Sequence, residues 1–203
     1  MIIDWLSREV IFAICGVIVS IIRYGSYIYN TIWGATRPHA FSWFNWGLIV
    51  ALGAVAQFQM NGGLSAWLLV LVSAVCFLFT ILGLIYGEKN YTKGDWATFI
   101  GALIAIAIWQ VTQNPMLTIL LLITIDCLSY YPTWRKMWVN PWSDPTDGFF
   151  WAGSRYFFAL LAVPEFTIDL MMYPFWLMAV DWATGVYMIA RRRHIRTIQE
   201  DKI

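Results

Sequence analysis

The sequence predicts an all-α integral membrane protein, with seven transmembrane helices forming two parallel three-helix bundles joined by an inverting linker helix. Three observations carry this expectation. The 203 residues are 60% hydrophobic and 12% charged, against about 25% charged in an ordinary soluble domain. The apolar residues gather into seven runs, most of them close to the roughly 20 residues that a helix needs to cross a bilayer. The basic residues between those runs fall on alternate sides, as they do when loops alternate between two faces of a membrane.

Taken in order, the first run covers 9–30. It reads as a permanent span, because Asp4, Arg8 and Glu9 precede it in place of the basic cluster of a cleaved leader. The second covers 41–60 and ends at Asn61-Gly62-Gly63. The third covers 64–86 and ends at Gly87. The fourth covers 96–111, before Gln113-Asn114-Pro115. The fifth covers 116–134. The sixth covers 149–163, before Pro164, and the seventh covers 168–190. Glycine and proline mark the turns because they end or interrupt helices.

Lys or Arg follows run one (Arg37), run three (Lys89, Lys93), run five (Arg135, Lys136) and run seven (Arg191, Arg192, Arg193, Arg196). The turns after runs two, four and six hold neither. The positive-inside rule then puts the N-terminus outside and the C-terminus in the cytoplasm, in a multi-pass cell (inner) membrane protein. The basic tail is placed to meet anionic lipid headgroups.

The chain also echoes itself. The stretch 23–46 leaves an apolar run, turns at Pro38 and returns; the stretch 126–149 does the same at Pro141. With Arg23 set against Asp126, Tyr27 falls on Tyr130 and Pro38 on Pro141. Internal repeats of this kind are common in transporters. An odd count of spans gives two like-oriented triplets: 1–88 as the first bundle, 89–114 as the linker and 115–203 as the second bundle with its tail.

With this layout the chain resembles the SWEET and PQ-loop superfamily of seven-helix transporters. The likeness covers nearly the whole chain in layout, while the Pro-Gln dipeptide is absent from both junctions. It implies alternating access, with two halves rocking about a central solute. The hinge it implies falls at Pro132 in the second half, and at Gly25 in the first.

Four charges interrupt the apolar runs: Arg23, Asp126, Arg155 and Asp181. A charge at the bilayer centre costs about 2.5–3.5 kcal/mol on insertion scales, so such groups pair and face the interior. Counted from the run ends at 1.5 Å per residue, all four lie roughly 10–15 Å in from one face. They are expected to neutralise one another, with Arg23 facing Asp126, and to floor a chamber for a small polar or zwitterionic solute. Asp126 or Asp181 is also a candidate proton carrier. Trp46 is expected as an aromatic wall, with Asn45 and Tyr156 as further polar contacts.

Of the 13 tryptophans, those near run ends fit an interfacial belt; Trp46, Trp109, Trp151, Trp176 and Trp182 lie deeper. Gln57, Thr80 and Gln110 are lesser pocket candidates. Cys15, Cys76 and Cys127 sit in separate apolar runs and read as free thiols, with no metal-ligand spacing. No nucleophile–base grouping, zinc motif or phosphate loop occurs, so neither an enzyme nor a cofactor is expected. The net charge of +1 offers no basic surface for nucleic acid. The expected function is therefore solute transport. The alternative is a non-transporting receptor or assembly subunit on the same scaffold, and either leaves room for an oligomer.

Overall fold

The computed structural model describes residues 7–34, 38–87, 93–142 and 146–200. Arg37 and Lys89, used above for orientation, lie outside the described residues, as do the side chains of Pro132 and Lys136. Among the described residues the chain is helical throughout, as α1 (Arg8–Ile32), α2 (Ala40–Gln59), α3 (Gly63–Tyr86), α4 (Lys93–Thr112), α5 (Pro115–Val139), α6 (Asp147–Leu161) and α7 (Ile168–Glu200). Each apolar run becomes one helix.

Four helices, α1, α2, α3 and α5, are long and apolar enough to cross a membrane by length and composition. On α1, Ile11, Ile14, Ile18, Ile21 and Ile22 are 43–65% exposed along one ridge. Water would oppose such a ridge, whereas lipid tails accept it. These features give the chain the character of a membrane protein. α6, at 15 residues, spans about 22 Å against a hydrocarbon core of about 30 Å.

Helix starts follow from local chemistry. The Ser7 side chain accepts a hydrogen bond from the Val10 amide at 3.4 Å. Asn114 Oδ1 accepts from the Leu117 amide at 3.1 Å, with Pro115 at the first helical position. Both satisfy amides that the first turn leaves without partners. The tight α2–α3 turn places Asn61 and Gly63 at positive φ, 60° and 55°, where glycine and asparagine carry the least strain.

Two helices outrun their apolar stretches. α5 continues past its apolar run, which ends at 134, through Arg135 to Val139, and α7 continues through the arginine cluster. Leaving the apolar layer does not end a helix, because Arg, Lys and Met remain good helix formers in water. Arg191 lies 4.0 Å over the Trp138 ring and donates to the Trp138 carbonyl at 3.1 Å. Arg192 donates to the Pro141 carbonyl at 2.8 Å. These two arginines thus meet carbonyls at and just beyond the α5 C-terminus, where cations are favoured. Arg193 and Arg196 stay exposed.

The helices meet in a definite order. α1 packs on α3, and α3 on α2. α5 packs on α7, and α7 on α6. The groups join where α1 and α3 meet α6 and where α2 meets α5, while α4 lies against α5 and α2. Contact registers give the directions. Arg8 meets Val163, Gly16 meets Phe158 and Arg23 meets Gly148, so α1 and α6 are antiparallel. Asp126 meets Trp176, Tyr130 meets Asp181 and Trp134 meets Thr184, so α5 and α7 are parallel. Glycines allow the close approaches: a β-carbon at Gly53 would collide with Tyr173, and one at Gly153 with Trp182.

Candidate functional site

A cavity of about 750 Å³ lies between the helices, within the size range of small-molecule sites. α1 lines it with Arg23, Tyr24, Tyr27 and Asn30, one face of a helix at three- and four-residue spacing. α5 lines it with Asp126, Tyr130 and Thr133 at the same spacing, and α7 with Leu177 and Asp181. α2 supplies Trp43, Trp46, Ile49 and Val50. α3 supplies Cys76 and Phe79. α6 supplies Asp147 to Phe149, Ala152, Arg155 and Tyr156. All four charges that interrupt the apolar runs therefore reach one space, together with Trp46 and Tyr156.

The expected Arg23–Asp126 pair does not form. Arg23 lies 5.8 Å from the Tyr27 ring centroid, and its Nη2 would lie 3.0 Å from a β-carbon at Gly148. It stands level with the first turn of α6. Asp126 is 3% exposed and accepts from Trp176 Nε1 at 2.9 Å. Asp181 is 6% exposed and accepts from the Tyr130 hydroxyl at 2.6 Å. Asp126 is thus bonded five residues before Asp181 on α7, about 7 Å along the axis. The charges do not share one depth. Counting from run ends misleads here, because α5 continues to Val139 and shifts its register against α7.

Arg155 lies against aromatic faces, 5.1 Å from the Tyr24 centroid and 4.7 Å from that of Tyr156, with Nη2 3.4 Å from the Tyr156 hydroxyl. Its Nε is buried without a hydrogen-bond partner among the described residues. Its charge also acts on Asp181. So the carboxylates are held by an indole and a phenol, and the deeper guanidinium by π-faces, which attract cations electrostatically.

The cavity is closed at one end. Its lining comes from α1 from Arg23 onward, α2 up to Val50, α6 up to Tyr156 and α7 from Leu177 onward. Beyond that level Tyr173 is fully buried, donating to the Ile49 carbonyl at 3.4 Å and packed on Gly53. Gln57 donates to the Leu170 carbonyl at 2.7 Å. At the far end Arg8 straps α1 to the end of α6, donating to the Val163 and Pro164 carbonyls at 2.6 and 3.0 Å.

Other expectations sort unevenly. Asn45 is buried off the cavity, because it sits about 100° around α2 from Trp46. Trp176 serves as the Asp126 donor, and Trp182 donates to the Phe150 carbonyl at 3.2 Å. Trp109 donates to Gln59 at 3.1 Å, away from the cavity. Thr80 is bonded within its own helix to the Cys76 carbonyl at 2.9 Å. Gly25 has open space beside it, and Pro132 lies inside α5 without ending it. Sequence reasoning misses Tyr24, Asn30 and Thr133 as lining residues, and does not promote Tyr27 and Tyr130. A signal exists: the 103-residue offset that sets Arg23 on Asp126 also sets Tyr27 on Tyr130 and Asn30 on Thr133, and all six line the cavity.

No protein-family model, curated protein or solved structure matches the chain.

Proposed function

We propose that this chain is a membrane transporter of SWEET-like layout, moving a small polar or zwitterionic solute by alternating access across the cell membrane. The observation that carries the reading is the cavity of about 750 Å³, lined by all four intramembrane charges and closed at one end by Tyr173 and its neighbours. A solid adaptor has no use for such a space. A transporter needs it, because a solute must reach mid-membrane from one side while the other side is sealed.

Further support comes from the packing order. Exchanging α1 with α5, α2 with α6 and α3 with α7 converts each bundle contact into another observed contact, and α1–α6 into α2–α5. The chain of registers leaves α1 and α5 pointing the same way. Both facts fit two parallel three-helix bundles, with α4 as the inverting connector. In this reading seven helices span, and α6 is the shortest. The cavity then opens toward the face that bears Arg135 and the α7 arginines, which is cytoplasmic by the positive-inside rule. In this reading the cavity faces inward, and the Arg8 strap and Tyr173 form its outer seal. Gly25 and Pro132 are carried forward as hinge candidates.

The test is reconstitution into liposomes with a panel of radiolabelled metabolites. Saturable uptake that disappears in Asp126→Asn and persists in Asn45→Ala supports the proposal. Uptake of no compound, with a folded protein in the bilayer, refutes it in favour of a receptor or assembly subunit.

A further inference from the structure

The charges in the cavity do not balance locally, and the imbalance points to a substrate class. At the mouth, Arg23 and Asp147 line the same opening. Further in, Arg155 and Asp181 feel each other's charge. That leaves Asp126. It is 3% exposed, it lines the cavity, and its Oδ2 is bonded to the Trp176 indole. Among the described residues no basic side chain acts on it, its bond from Trp176 comes from a neutral donor, and a charge near it, that of Asp181, has the same sign. A buried carboxylate with one neutral donor is far from compensated. Aromatic side chains, Tyr130 and Trp46 among them, also line the cavity. They attract a cation more than an anion.

We infer that Asp126 anchors a cationic nitrogen, so that the transported solute is a small amine or an amino-bearing zwitterion whose ammonium occupies the deep end of the cavity. This rests on the transport reading and narrows its substrate class. In a zwitterion, the unpartnered Nε edge of Arg155 is the group able to meet the anionic end. A proton on Asp126 would also neutralise it, and the experiment separates the two sources of positive charge.

The experiment measures binding to the purified full chain in detergent, by calorimetry, with pairs that differ in one group: alanine against lactate, and phenethylamine against 2-phenylethanol. The amine member of at least one pair is expected to bind tenfold or more tightly than its hydroxyl partner. That preference should vanish in Asp126→Asn and survive in Asp126→Glu. Equal binding within both pairs, as a neutral protonated Asp126 would give, overturns the inference, as does a preference unchanged in Asp126→Asn or absence of binding by every probe. If Asp126→Asn does not fold, the wild-type pairs and Asp126→Glu still decide. Liposome uptake keeps the two readings apart: uptake of lactate or 2-phenylethanol without amine preference sinks the amine site and leaves transport standing. Amine binding with no uptake of either amine sinks transport and leaves the amine site standing.

Discussion

Gln57 on α2 donates its side-chain amide to the Leu170 carbonyl on α7 at 2.7 Å, and Leu170 stands four residues before Pro174. Proline has no amide hydrogen, so it cannot bond the carbonyl four residues back. Gln57 supplies the missing donor from another helix. An unpaired carbonyl in a dry interior costs about 1–3 kcal/mol. Gln57→Leu should therefore lower the thermal midpoint in detergent, and the loss should shrink when Pro174→Ala restores the backbone donor. A double-mutant cycle on unfolding free energies should show coupling of about 1 kcal/mol; additive losses would remove Gln57 from this role.

Gly53 and Gly25 should respond in opposite ways to the same change. A β-carbon at Gly53 would strike Tyr173, whereas one at Gly25 meets nothing within 4 Å. Gly53→Ala is expected to cost about 1–3 kcal/mol by overpacking. Gly25→Ala should leave stability unchanged or raise it by up to about 1 kcal/mol through helix propensity. Thermal melts of the two variants check the pair. A loss of uptake in a stable Gly25→Ala would in addition mark that position as a working hinge.

Charge exchange between Arg23 and Asp126 should not rescue. The two side chains lie at different levels and have different neighbours. Arg23→Asp and Asp126→Arg are expected to lose binding or stability independently, with coupling near zero beyond the roughly 0.5 kcal/mol scatter of distant sites. Recovery in the double variant would show a pair that this arrangement lacks.

Tyr130→Phe removes the hydroxyl that donates to Asp181 at 2.6 Å. A hydrogen bond to a charged group contributes about 1.5–3 kcal/mol, so the variant should melt earlier and loosen α5 from α7. Trp134→Phe breaks the neighbouring 2.8 Å contact to Thr184. It joins two neutral groups and should cost less, about 1 kcal/mol. Reversal of that order, read by thermal unfolding, would contradict the assignment.

Arg8→Ala should unfasten the sealed end. Arg8 holds two carbonyls at the α6 terminus and lies 4.1 Å from the Phe166 ring centroid. Ala162, next to Val163 in sequence, is fully buried. A cysteine placed at 162 should react slowly with a membrane-impermeant thiol reagent in the parent chain and several-fold faster with Arg8→Ala. Equal rates would show that the strap does not control access.

The seven helices were legible because the apolar residues gather into long runs and the turns between them hold glycine, proline and asparagine; each run from 9–30 to 168–190 became one helix. That Arg23, Asp126, Arg155 and Asp181 would share one interior was legible for a related reason: lipid repels charge, so each must turn inward. Their partners were not legible. A count from run ends cannot know that α5 outlasts its apolar stretch or that α7 is set against it so that Asp126 meets Trp176.

By itself, then, the sequence determined which segments form long apolar helices, which charged residues interrupt them, and where the chain turns. Those follow from transfer free energies, a property of each residue and its neighbours along the chain. The tertiary structure alone decided the register between helices, and with it the depth of each charge, the choice of indole and phenol over arginine as the carboxylate donors, the seal of Tyr173 on Gly53, and the isolation of Asp126. Register is settled by the packing of facing side chains far apart in sequence, a sum of many small contacts that no single stretch encodes.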